Sequence, residues 1–212
     1  MYLPEHFAEQ RVDLLHRLIS EHPVGAMVVS TADGLEANHL PFELDAEPAP
    51  FGTLRGHVAR ANPVWHQFTR GVEALVIFHG PQAYISPSWY PSKEMTGEVV
   101  PTYNYLAVHG YGEIKIIHER EWLRALVTRL TDRFEANRAA PWRVSDAPAA
   151  FIDKQLSAIV GIEIPLTKLI GKWKVSQNRP AADRAGVVAG LSERNDADSL
   201  AIAWWVKRKA ES

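Results

Sequence analysis

The sequence predicts an α+β fold in which a small antiparallel β-barrel carries added helices, and three observations predict it. About six or seven short extended segments are set off by turn residues such as Asp33-Gly34 and Gly80-Pro81. Amphipathic helical stretches interrupt them at irregular intervals. No regular strand–helix–strand alternation runs through the chain, so a parallel sheet is disfavoured.

The elements follow in order. Phe7, Val12, Leu15, Leu18 and Ile19 share one side of a helical wheel, which predicts a helix over Phe7 to Glu21, stopped by Pro23. Gly25 to Thr31, Leu35 to Leu44 and Phe51 to Val58 are predicted strands of an antiparallel meander, with Ala32-Asp33-Gly34 as the first turn. Asn62 followed by Pro63 suits the start of a short helix reaching Phe68, because Asn caps well and Pro is tolerated in the first turn. Two strands, Glu73 to His79 and Ala83 to Ser86, are expected on either side of a Gly80-Pro81-Gln82 turn.

After a Pro-rich linker, Val99 to Ile117 is expected to be one long strand broken near Gly110 or Gly112. Glu119 to Asn137 is expected to be helical, with Leu123, Leu126, Val127, Leu130 and Phe134 as its buried stripe. A helix over Ala147 to Ala158, a strand pair or bent strand over Ile159 to Val175, and helices over Ala181 to Arg194 and Ser199 to Lys209 complete the chain. One domain over residues 1–212 is expected, with a helical C-terminal segment at about 181–210.

Composition removes several function classes. The 23 Lys and Arg against 25 Asp and Glu give a formal net charge of -2, so no global field draws the chain to nucleic acid or an anionic membrane. The absence of cysteine excludes disulfides, thiolate metal sites and cysteine nucleophiles. No apolar run approaches the ~20 residues of a membrane span and the first residues lack a secretory pattern, so a cytoplasmic protein is expected.

Four segments carry more polar chemistry than a core requires: Asn38 to Pro41, Gly56 to Pro63, Val100 to Tyr105, and Gly171 to Pro180. Arg60, just before a helix start, suits a phosphate, and Lys174, Ser176, Gln177 and Asn178 form a second donor cluster. The residues alone fit equally well with solvated charges at Arg60 and Lys174 and with helix caps at Asn62 and Asn178.

Together with Phe78-His79-Gly80-Pro81, Ala83 to Tyr90 and Ala158 to Ile164, these segments resemble the PaiB family of FMN-binding split-barrel proteins, from Tyr2 to about Leu191. One departure is Tyr103, where Trp is expected in many members. The resemblance implies a split β-barrel and a homodimer with each FMN between subunits. It places His57, Val58, Ala59, Arg60 and Asn62 at the phosphate and ribityl chain, and His39, Leu40 and Pro41 along the ring. Thr102, Tyr103, Asn104, Lys174, Ser176, Gln177, Asn178 and Arg179 are further FMN-binding candidates, some of them supplied by the partner subunit.

Three outputs are carried forward. The resemblance implies a flavin-dependent regulator or redox sensor controlling transcription. DNA binding by the last two helices, ending in Lys207-Arg208-Lys209, has thin support, since paired Trp204 and Trp205 on a terminal helix fit docking better. An oxidoreductase using a nicotinamide is the enzymatic alternative, with Trp89, Tyr90 and Tyr103 as cavity walls. No Ser-His-acid triad is visible, so the flavin would carry the chemistry. Nine histidines invite haem as a further alternative; none is spaced as a metal motif, and no metal site is expected.

Overall fold

The computed structural model describes residues 1–67, 71 and 73–209. In chain order these form β1 (Ala8–Glu9), α1 (Val12–Glu21), β2 (Val24–Thr31), β3 (Gly34–Pro41), β4 (Glu43–Asp45), β5 (Thr53–Ala59), β6 (Glu73–Ile85) and α2 (Ser92–Thr96). They continue as β7 (Thr102–Glu113), β8 (Lys115–Ile117), α3 (Arg120–Glu135), α4 (Ala149–Ser157), β9 (Ile159–Lys174), α5 (Ala181–Arg194) and α6 (Ala197–Arg208). The sheet runs β3-β2-β6-β7-β9-β5-β4, with β1 and β8 also on β9. Each of β2–β3, β2–β6, β4–β5, β5–β9, β1–β9 and β8–β9 is antiparallel.

Three expectations about elements need correction. The opening helix begins at Val12, because Ala8 and Glu9 pair with Lys172 and Gly171 and are extended. No turn forms at Gly80-Pro81-Gln82, and β6 is continuous. A Cβ on Gly80 would lie 2.9 Å from Leu18 Cδ1 and 3.2 Å from Leu106 Cβ, so here glycine permits close packing of an extended chain. The break in the long strand falls at Ile114, between β7 and β8. The short helix after Asn62 is a 3-10 turn, Pro63–His66, and Phe68 lies outside the described residues, as does residue 210 of the C-terminal segment.

The chain divides into two compact units, each made of discontinuous segments, and β6, β7 and β9 contribute to both. Unit 1 holds residues 1–18, 79–108 and 170–212. Its core includes Leu15, Ile85, Leu106, Trp173, Val187, Leu191 and Ile202, all buried. Trp173 meets Trp205 of α6 edge to face at 5.8 Å between centroids, a geometry favoured by the ring quadrupoles. Glu9, buried at the end of β1, accepts from Arg11 Nη2 at 2.8 Å and from Lys209 Nζ at 2.8 Å, so the end of α6 is tied to β1.

Unit 2 holds residues 19–78 and 109–169. Met27, Val29, Phe42, Leu54, Val76, Phe78 and Ile162 are buried there. A satellite cluster of Leu123, Val144, Ile152 and Leu156 joins α3 to α4. Along the expected α3 stripe, Leu123, Leu126 and Leu130 are buried while Phe134 is 51% exposed at the end of the helix. Arg55 joins three strands of this unit, reaching Asp45 on β4 at 2.8 Å and Glu163 on β9 at 3.1 Å.

Candidate functional site

The predicted residues fall into two sets, one in each unit. In unit 2 the β2–β3 register pairs His39 with Ala26, Leu40 with Gly25 and Pro41 with Val24. Leu40 is buried, whereas His39 and Pro41 are exposed. On β5, His57 is half-buried and Val58 buried, and Ala59 ends the strand in solvent. Pro41 and His57 line an open apolar groove of about 310 Å³ with Leu130, Thr131 and Phe134 of α3. Burial lowers the His57 pKa, which favours neutral imidazole, and its Nδ1 has no hydrogen-bond partner.

The chain leaves β5 through Arg60 and Asn62, and each does local structural work. The Asn62 side chain accepts from Val64 N at 3.0 Å, capping the Pro63–His66 turn, while its Nδ2 donates to Asn38 Oδ1 on β3 at 2.7 Å. Arg60 Nε donates to Ser157 O at the C-terminal end of α4 at 2.8 Å, and Nη2 to Ile159 O at the start of β9 at 2.9 Å. The guanidinium lies 5.9 Å from the Trp65 ring centroid and belongs to an exposed residue.

In unit 1 the other candidates converge. Tyr90, Thr102, Asn104, Lys174, Ser176, Asn178 and Arg179 line a cavity of about 110 Å³ with Val100 and Pro101. The end of β9 and the start of β7 bring these groups together. Lys174 Nζ donates to Tyr103 O at 2.8 Å and also to Thr102 Oγ1. Asn104, 1% exposed, donates through Nδ2 to Ser176 Oγ at 2.9 Å, and its Oδ1 is left without a partner. Ser176 holds a left-handed conformation at φ 63°, uncommon for a residue with a Cβ and concentrated at functional sites.

The electrostatics of this cavity are one-sided. Among the described residues, no carboxylate is within ion-pair distance of Lys172, Lys174 or Arg179. Burial lowers the Lys174 pKa, and the neighbouring Lys172 and Arg179 charges lower it further. Arg179 lies over the Tyr90 ring at 4.8 Å. Burial raises the Tyr90 pKa, partly offset by the Arg179 charge, and the hydroxyl makes no hydrogen bond of normal geometry.

Two candidates face elsewhere. Gln177 folds back on the end of β9, its Oε1 accepting from Val175 N at 2.8 Å and its Nε2 donating to Trp173 O. The Tyr103 ring is 56% exposed and packs edge to face on Tyr84 at 5.7 Å, and only its carbonyl reaches Lys174.

Trp89, a suggested cavity wall, is instead seated on α5. A Cβ on Gly186 would lie 1.8 Å from Trp89 O, and one on Gly190 2.2 Å from the indole. The following Ser92 is fastened to the same helix, its Oγ donating to Asp183 Oδ2 at 2.8 Å. Sequence reasoning missed this seat, although the Gly186-x-x-x-Gly190 spacing on a predicted helix was its visible signal. Lys172 was also missed. It is a buried cation whose Nζ donates to Tyr2 O at 3.0 Å and lies 5.5 Å from the Tyr105 ring.

The sequence pattern of the family described as "Putative FMN-binding domain" matches residues 1–168. A Bacillus subtilis protein named protease synthase and sporulation protein PAI 2 is 30% identical over 203 residues, covering 96% of this chain and 95% of the relative. An uncharacterised Emericella nidulans protein is 32% identical over 246 aligned positions, covering 100% of this chain and 98% of the relative. Among solved structures, the FAD and heme binding protein from Mycobacterium smegmatis superposes with a TM-score of 0.58 at 16% identity, over 79% of this chain and 73% of that one. A conserved hypothetical protein from Mycobacterium tuberculosis gives 0.59 at 10% identity, over 85% and 94%. The expected fold class, an α+β antiparallel split barrel with peripheral helices, is the one found. With its motifs matched across residues 1–168 and the Bacillus protein aligned almost end to end, the chain belongs to the FMN-binding domain family that contains the PaiB proteins.

Proposed function

We propose that two copies of this chain bind FMN and that the complex is a cytoplasmic flavin-dependent regulator or redox sensor. The carrying observation is the unit 1 cavity, lined by Lys174 and Arg179, which have no carboxylate partner among the described residues, and by Asn104, whose buried amide oxygen lacks a donor. An orphaned buried acceptor costs ~1–3 kcal/mol, which a ligand with a matching donor recovers. Within unit 2, the Arg60 guanidinium suits a phosphate oxygen, Asn62 and the strand end at His57 to Ala59 suit the ribityl chain, and His39 to Pro41 suit the ring. The partner subunit contributes some of these groups.

Bound FMN supplies electron or hydride transfer, while the chain's residues hold and orient it and tune its electronics. The Bacillus relative is named for protease synthesis and sporulation, and a regulatory output for this chain is in keeping with that name. Trp205 of α6 is engaged by Trp173 and Lys209, just after the helix, by Glu9, which favours docking of this helix over contact with DNA.

Absorbance titration of the purified protein with FMN tests the reading. Saturable binding is expected, with affinity about tenfold or more lower in Arg60→Ala because a phosphate loses a charge-assisted hydrogen bond. Absence of saturable binding to the wild-type chain would overturn it. Steady NADH or NADPH consumption by the loaded protein would assign an oxidoreductase instead.

A further inference from the structure

We infer that the unit 1 cavity receives the pyrimidine edge of the flavin ring and not its phosphate, with Asn104 Oδ1 accepting the ring N3–H and Lys174 and Arg179 facing the N1–C2 carbonyl side. This rests on the FMN reading above and assigns a polarity to it. Lys174, Ser176, Asn178 and Arg179 all lie beyond residues 1–168, the part of the chain matched by the family pattern.

The donor and acceptor pattern decides between the two ends of FMN. A phosphate dianion carries only acceptors, and a buried acceptor facing it would be repelled and left unpaired. Asn104 commits its Nδ2 to Ser176 Oγ, so the amide presents Oδ1, which requires an N–H or O–H. The pyrimidine edge presents a carbonyl, an N–H and a second carbonyl in sequence. It therefore gives a donor to Asn104 and acceptors to its cationic neighbours.

Size points the same way. A cavity of about 110 Å³ is well below the roughly 300 Å³ at which pockets for whole drug-sized ligands begin, and it suits the end of a ring system. Tyr90 and Arg179 close one wall as a stacked pair, and Thr102 holds Lys174 in place.

A cation here has a consequence besides affinity. Electrons added to the ring concentrate negative charge at N1 and the C2 carbonyl, so fixed positive charge beside them raises the reduction potential. Removing Lys174 therefore makes the bound flavin harder to reduce.

Wild-type protein is titrated with FMN, riboflavin and N3-methyl-FMN, and the reduction potential of bound FMN is measured in wild type and Lys174→Met. Methylation at N3 is expected to weaken binding by ~100-fold or more, since a site built around an N–H rejects an analogue lacking it. Lys174→Met should lower FMN and riboflavin affinity by the same factor, ~10-fold, and move the potential to a more negative value. Equal affinity for FMN and N3-methyl-FMN, in a protein that cannot refuse the probe by misfolding, would overturn the inference. So would a Lys174→Met loss confined to FMN, which would locate the phosphate here, or an unchanged potential. No binding of FMN or riboflavin by the wild type would instead remove the FMN reading itself.

Discussion

Arg60 in unit 2 and Lys174 in unit 1 are both cations at strand ends, yet their surroundings differ in kind. Arg60 is exposed, and two of its donor groups already serve carbonyls of its own chain, at the end of α4 and the start of β9. Lys174 is half-buried beside Lys172 and Arg179, with no carboxylate partner among the described residues; its Nζ donates to Tyr103 O and Thr102 Oγ1, and it lines the same cavity as an amide oxygen that has no donor. A charge satisfied by its own fold can still offer one remaining N–H to a ligand, and its loss is partly a structural loss. A half-buried charge that shares a cavity with other cations and an orphaned acceptor finds its natural complement in a ligand with donors and acceptors of its own.

That contrast can be broken most severely at Trp89. Gly186→Ala places a Cβ into Trp89 O, and the resulting overpacking should cost about 3 kcal/mol in urea unfolding and weaken flavin binding through the displaced Tyr90. Unchanged stability would show that α5 does not seat this loop.

Glu9 comes next. Burial alone would raise its pKa, but hydrogen bonds from Arg11 and Lys209 overcome burial and hold it down at about 2, against an ordinary 4.5. A depressed carboxylate pKa stabilises the fold fully above pH 4.5 and loses that contribution as pH falls toward 2. Glu9→Gln should cost about 2–3 kcal/mol at neutral pH and flatten the acid limb of stability in that window, as read by thermal melts across pH.

Arg60→Ala sharpens the comparison from the other side. It should remove about 1 kcal/mol of stability through the lost α4 and β9 carbonyl contacts and reduce the preference for FMN over riboflavin by about tenfold, where Lys174→Met leaves that preference alone. The smallest effect is expected at Asn62→Ala, about 1 kcal/mol or less from the lost cap, visible as a small shift in urea midpoint. A larger loss of FMN affinity than in Arg60→Ala would move the phosphate toward Asn62.

Much of the fold was legible because its signals are local. The α5 limits, the Asn62 cap and the α3 stripe through Leu130 follow from periodicity and capping chemistry. The errors occurred where a distant strand overrode a local rule. Glu9 looks helical until β9 pairs with it, and Gly80-Pro81 looks like a turn until close packing against Leu18 and Leu106 keeps it extended. Phe134 follows the helical stripe yet ends beside an open groove.

The candidate site shows the same limit. Composition indicated that Lys174, Ser176 and Arg179 carry polar chemistry, but Gln177 in the same run turns back to bond the end of β9. Nothing in the order of residues separates a side chain that faces a cavity from one that folds onto the backbone. The orphaned Asn104 oxygen was likewise invisible, because a missing partner is a property of three-dimensional neighbours.

Sedimentation velocity of the FMN-loaded protein, followed at the flavin absorption band, tests the central claim most directly. Flavin is expected to move with a single species of twice the chain mass, at one FMN per chain. Flavin left behind at the meniscus, or carried by a species of one chain mass, would contradict a cofactor held by two copies of the chain.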